Sequence, residues 1–92
     1  MGSAGDVWYD REKAPRLYEG WRAMLEKLGE GSQPYLEVLL AGMETGLSAV
    51  TVRNMIIDAR KKKGWMYQSG SRKQDTVTLR LTQAGIERLR NE

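Results

Sequence analysis

The sequence predicts a small, mostly helical α+β domain, and three observations carry that prediction. Apolar residues recur at helical spacing through the first two thirds of the chain, the pattern changes to strict alternation after Gly64, and a short capped helical segment follows. Ninety-two residues leave room for one domain with a single core. Residues 1–15 are expected as a flexible N-terminal arm, of which 1–5 fit a cloning remnant, and residues 16–92 as the folded unit.

The first helix is expected from Arg16 to Leu28, with Pro15 in its first turn. Leu17, Trp21, Met24, Leu25 and Leu28 form its inner stripe, and Glu19, Arg22 and Glu26 lie outside. Gly29 and Gly31 end it. Ser32-Gln33-Pro34 opens a second helix, with Pro34 in the first turn, running to about Thr45 with Leu36, Leu39, Leu40 and Met43 as its buried stripe. Gly42 in that helix loses about 1 kcal/mol of intrinsic helix preference against alanine. Such a loss is sensible only where another helix approaches closely.

Residues 46–56 fit the turn and second helix of a helix-turn-helix. Gly46 suits a left-handed turn position, and Ser48 can cap the new helix by accepting a backbone N–H. Leu47, Val52 and Met55 then anchor that helix, with Ile56 and Ala59 continuing its inner face, while Ser48, Ala49, Val50, Arg53, Asn54 and Ile57 fall on the opposite side. The run Arg60-Lys61-Lys62-Lys63 closes it before Gly64, which suits a left-handed cap. Cations there also favour the negative end of the helix dipole.

Trp65-Met66-Tyr67-Gln68 and Thr76 to Leu81 then read as the two strands of a hairpin, with Val77, Leu79 and Leu81 on one face and Thr76, Thr78 and Arg80 on the other. Trp65 is expected in the core, whereas the hydroxyl of Tyr67 needs a wet partner. Thr82 is an N-cap candidate, and Ile86 and Leu89 give the closing helix its apolar side. For Trp8 and Tyr9 two readings stand: a cover on the core or a patch for a partner.

Charge and composition bear on function. Residues 1–47 hold five Lys/Arg against eight Asp/Glu, and residues 48–92 hold ten against four. A basic half on a chain of net charge +3 reads as a footprint for a polyanion. The absence of cysteine and histidine removes thiol nucleophiles, the usual zinc ligands and the commonest general base. Asp6, Asp10, Glu12 and Glu19 form no convincing metal or catalytic pattern. No enzyme activity, cofactor or metal is expected. No apolar run approaches the roughly 20 residues of a membrane span, and a cytoplasmic protein is expected, nucleoid-associated if bacterial or archaeal.

Gly46-Leu47-Ser48-x-x-Thr51-Val52 and Leu81-Thr82-x-x-Gly85, with a basic hairpin between them, resemble the winged helix-turn-helix superfamily over roughly residues 16–91. The second motif is similar to one that often follows the wing in MarR-like and PadR-like regulators, although the chain shows no long helix of the kind those proteins use to dimerise. The resemblance implies a three-helix core, a two-stranded wing and a short C-terminal helix. It also implies a double-stranded DNA partner, with a recognition helix over about 48–63 in the major groove. Ser48, Ala49, Val50, Arg53, Asn54 and Ile57 would face base edges. Thr51, Arg60, Lys61 and Lys62 would meet the phosphate backbone, and the wing loop 69–75 would bring Ser71, Arg72 and Lys73 to the adjacent minor groove or its phosphates. Regulation of transcription, or service in a larger DNA-processing assembly, is the expected setting. Because one small module reads few base pairs, a homodimer or tethering to a larger protein is expected as well. The competing expectation is a protein-interaction module whose cations only solvate it.

Overall fold

A computed structural model describes residues 8–29, 31–70 and 77–91. Four helices and a three-stranded antiparallel sheet follow one another as α1 (Pro15–Leu28), β1 (Gln33–Pro34), α2 (Tyr35–Met43), α3 (Ala49–Lys61), β2 (Met66–Ser69), β3 (Thr78–Leu81) and α4 (Gln83–Arg90). In α1, Tyr18, Trp21, Met24, Leu25 and Leu28 are buried. Tyr18 joins the expected stripe one turn before Trp21, beside the half-buried Leu17.

The sheet departs from a plain hairpin. Strand order is β1-β3-β2, with Gln33 opposite Leu79 and Pro34 opposite Thr78. The Tyr35 amide continues the ladder to the Val77 carbonyl at 3.0 Å. Pro34 is therefore not in the first turn of a helix: at φ −57° and ψ 144° it is extended, standing just ahead of α2. Its missing N–H is harmless on an edge strand.

Helix α2 is also rotated from the expected phase. Val38 and Gly42 are buried, Leu39 and Met43 are half-buried, and Leu36 and Leu40 are 67% and 49% exposed. Gly42 sets this rotation. A Cβ there would lie 2.8 Å from Val52 Cγ1, 3.1 Å from Val52 Cγ2 and 3.5 Å from Met24 Cγ, so three helices meet at this point. Val38, one turn earlier, shares the face. Gly42→Ala is accordingly expected to destabilise the fold by about 1–3 kcal/mol through overpacking, despite its better helix preference. Equilibrium urea unfolding measures the change, and a gain in stability would mean the helices separate freely here.

The connection to α3 follows the sequence. Gly46 adopts φ +104°, and the Ser48 hydroxyl accepts the Thr51 amide at 3.2 Å. Val52, Met55, Ile56 and Ala59 are buried. At the far end Gly64 has φ +67°, and the chain turns so that the Trp65 amide donates to the Ala59 carbonyl at 2.8 Å. Thr82 caps α4 by accepting the Gly85 amide at 3.1 Å. Leu89 packs on the core, but Ile86 is 38% exposed rather than inward. Gly85 is the residue pressed against the body, and the next position lies about 100° round the helix.

Of the segment expected as an arm, Trp8 and Tyr9 are among the described residues and pack in or against the core. Trp8 is 2% exposed, its ring edge-on to Tyr9, Trp21 and Trp65 at centroid distances of 5.5, 4.9 and 5.9 Å. Trp21 and Trp65 stack at 5.4 Å. Asp10 shapes the following turn by accepting the Glu12 and Lys13 amides, and the Ala14 amide returns to the Asp10 carbonyl. Helix α1 thus starts from a segment that is itself seated.

Candidate nucleic-acid interface

Burial of one side of α3 fixes what its other side presents. Val50, Arg53, Asn54, Ile57 and Lys61 recur at helical spacing and are all exposed, Val50 at 64% and Ile57 at 45%. The side chains of Arg53 and Asn54 make no hydrogen bond or ion pair among the described residues, and both are exposed to a ligand. Four of the six positions expected to face bases thus share one open stripe.

The other two differ. Ala49 is half-buried in the first turn. Ser48 is exposed, but its hydroxyl is committed: besides capping the helix, it donates to Thr51 Oγ1 at 2.9 Å. Thr51 retains its own hydroxyl hydrogen for an acceptor such as a phosphate oxygen.

The cations at the end of α3 have distinct surroundings. Arg60 is half-buried and its guanidinium donates to Gln68 Oε1, fastening α3 to β2. That contact turns an expected phosphate ligand inward. Lys61 is exposed. Lys62 pairs with Asp58 Oδ1 at 3.5 Å while its side chain stays 68% exposed, and the other Asp58 oxygen accepts the Trp8 indole N–H at 2.9 Å. Lys63 lies over the Tyr9 ring at 4.5 Å, and Arg88 over Tyr9 and Trp65 at 5.7 and 5.4 Å. Arg88 also donates to the Tyr9 carbonyl at 2.8 Å. Two cations therefore seal the aromatic cluster instead of facing outward alone.

On the hairpin, Tyr67 and Arg80 are cross-strand partners, and the Arg80 guanidinium sits 4.8 Å over the Tyr67 ring. Their pairing depends on register, which the sequence pattern fixes only to the face. Ser69 and Thr78 hydroxyls meet beside them at 2.9 Å. The expected wing residues Ser71, Arg72 and Lys73 lie outside the described residues; the described part of the loop ends at Gly70, with φ +97°.

Among the described residues no group of three or more His, Cys, Asp or Glu side chains is placed to hold a metal ion. No helix among them is long and apolar enough to cross a membrane. Compared with protein-family models, with curated proteins and with solved structures, the chain matches none.

Proposed function

We propose that this chain is a double-stranded DNA-binding module of winged-helix type, with α3 as its recognition helix. The observation that carries the reading is the open stripe on α3, where the exposed side chains of Arg53 and Asn54, without a partner among the described residues, stand between the exposed apolar side chains Val50 and Ile57. A guanidinium fork matches guanine O6 and N7, a carboxamide matches adenine N6 and N7, and apolar side chains suit thymine methyl groups. Lys61 at the end of the stripe, and Lys62 and the Thr51 hydroxyl beside it, stand where duplex phosphates would pass. Arg72 and Lys73, which follow β2 in the sequence, would add two cations to the footprint. The module would act as a small regulator or within a larger DNA-processing assembly, gaining specificity from a second copy or a tether.

Fluorescence anisotropy with a mixed-sequence duplex at two salt concentrations tests this. Binding should weaken steeply with salt as condensed counterions are released. Arg53→Ala is expected to weaken a preferred site by roughly five- to hundredfold, the range spanned by one bidentate base contact. Arg72→Ala/Lys73→Ala should weaken all duplexes alike and flatten the salt response. Duplex binding indifferent to Arg53 would overturn the assignment of α3.

One observation favours a second reading, a protein-interaction module. Leu36, Leu40 and Val50 are exposed apolar side chains at 67%, 49% and 64%. An interface built on them would tolerate salt and respond to Leu36→Ser/Leu40→Ser rather than to Arg53→Ala.

A further inference from the structure

We infer that the outer face of the β2–β3 hairpin holds one unpaired base of a nucleic-acid strand, with the adjoining phosphate taken by Lys61. The inference deepens the DNA-binding reading and rests on it for the path of the strand. Alternation along β2 buries Met66, 3% exposed, and leaves Tyr67 43% exposed. Arg80 covers part of the Tyr67 ring at 4.8 Å and is itself exposed, giving a flat aromatic and guanidinium platform in solvent.

A groove opens beside this platform, between the end of α3, strand β2 and Thr82. Met66 gives it an apolar lining, and Arg60, held by Gln68, gives it a polar one. The Thr82 hydroxyl donates to the Gly64 carbonyl and so offers no free donor at that end. Lys61 lines the groove as well, exposed and without an ion pair among the described residues. It is also the last member of the α3 stripe, one turn beyond Ile57. A strand leaving the duplex at that end of the recognition helix would therefore enter the groove.

The chemistry selects a base over other occupants. Phosphate groups alone would need only the cations and leave the exposed Tyr67 ring without a role. An apolar peptide would desolvate Arg60 and Lys61, and no carboxylate is among the residues lining the groove. A nucleobase offers a π-face to Tyr67 and Arg80 and carries its own phosphate to Lys61. Stacking of one base on an aromatic side chain is sequence-tolerant and corresponds to roughly five- to hundredfold in affinity.

The test compares a blunt duplex, the same duplex with a short single-stranded overhang, and the free single strand, by anisotropy with the full chain. An aminopurine in the overhang reports stacking through its quenched fluorescence. The overhang is expected to tighten binding about tenfold. Tyr67→Ala and Arg80→Ala should remove that gain and the quenching while leaving blunt-duplex affinity in place, and Tyr67→Phe should keep both. An overhang that adds nothing, or a gain that survives Tyr67→Ala and Arg80→Ala, overturns the site. Failure of the duplex reading is separable: Arg53-independent or absent blunt-duplex binding sinks that reading, whereas Tyr67-dependent binding of the free single strand would still support the base site. Binding of none of the three probes overturns both.

Discussion

Replacing Trp8 with alanine is expected to remove about 3–5 kcal/mol of folding stability, the usual range for deleting a large buried aromatic side chain. A domain of this size commonly has only about 5–15 kcal/mol in total, so the variant should lose a large share of it. Trp8 contributes in two ways. Its ring fills the space among Tyr9, Trp21 and Trp65, and its indole N–H satisfies one Asp58 oxygen, the other being paired with Lys62. Trp8→Phe separates them: it keeps most of the ring and loses the N–H, which should cost about 1.5–3 kcal/mol for a hydrogen bond to a charged group. Urea unfolding followed by far-UV circular dichroism measures both variants. A loss below about 0.5 kcal/mol for Trp8→Ala, within the range of surface substitutions, would mean that residues 8–14 are not seated in solution.

The helices were legible because their signals are local. Stripes at helical spacing, Pro15 at a first turn, and Ser48 and Thr82 as caps each involve residues within one or two turns of each other. The inner face of α3 could be read the same way, and with it the outward positions of Val50, Arg53, Asn54 and Ile57. In α2 the same method was half right: Leu39 and Met43 pack on the core, but Leu36 and Leu40 do not. Tyr35, Leu36, Val38, Leu39, Leu40 and Met43 put apolar groups on almost every side of the helix, so periodicity alone had no preferred phase. Gly42 held the missing information: the residue that must approach Val52 also dictates that Val38, and not Leu36 or Leu40, turns inward.

What stayed hidden depends on contacts between residues far apart in sequence. A two-residue strand has no alternation to detect, and β1 exists only because β3 runs beside it. Trp8 reaches Asp58 across fifty positions, and no period links it to Trp21 or Trp65. Arg60 looked like its basic neighbours until Gln68 of β2 came within hydrogen-bonding reach. The stacking of Arg80 on Tyr67 required the register of the hairpin. Each is a product of tertiary docking, and each changes what the basic half of the chain can offer to a ligand.

Gly85→Ala is the second large effect expected, and Gly20→Ala is its control. The same methyl group is added inside a helix in both, with the same gain of about 1 kcal/mol in intrinsic preference. At Gly20 the new Cβ would meet Leu47 Cδ1 at 2.3 Å, the far end of a half-buried side chain that can change rotamer. At Gly85 it would meet the Trp65 carbonyl oxygen at 2.1 Å and carbon at 3.0 Å, which is backbone. That peptide cannot swing aside. Its oxygen accepts the Thr82 amide at 3.0 Å, the Trp65 amide is bonded to Ala59, and the Trp65 ring stacks on Trp21. Helix α4 must therefore lift, parting Thr82 from Trp65, Leu89 from the core and Arg88 from the Tyr9 carbonyl. Overpacking commonly costs about 1–3 kcal/mol, occasionally more, and a contact with backbone that cannot yield belongs at the upper end, so a net loss of about 2 kcal/mol is expected after the helix gain. Gly20→Ala should stay within about 1 kcal/mol of the parent. Urea unfolding of the two variants side by side decides the matter: equal stabilities would mean that α4 does not rest on the Trp65 peptide, and the aromatic cluster would then lose its cover from Arg88.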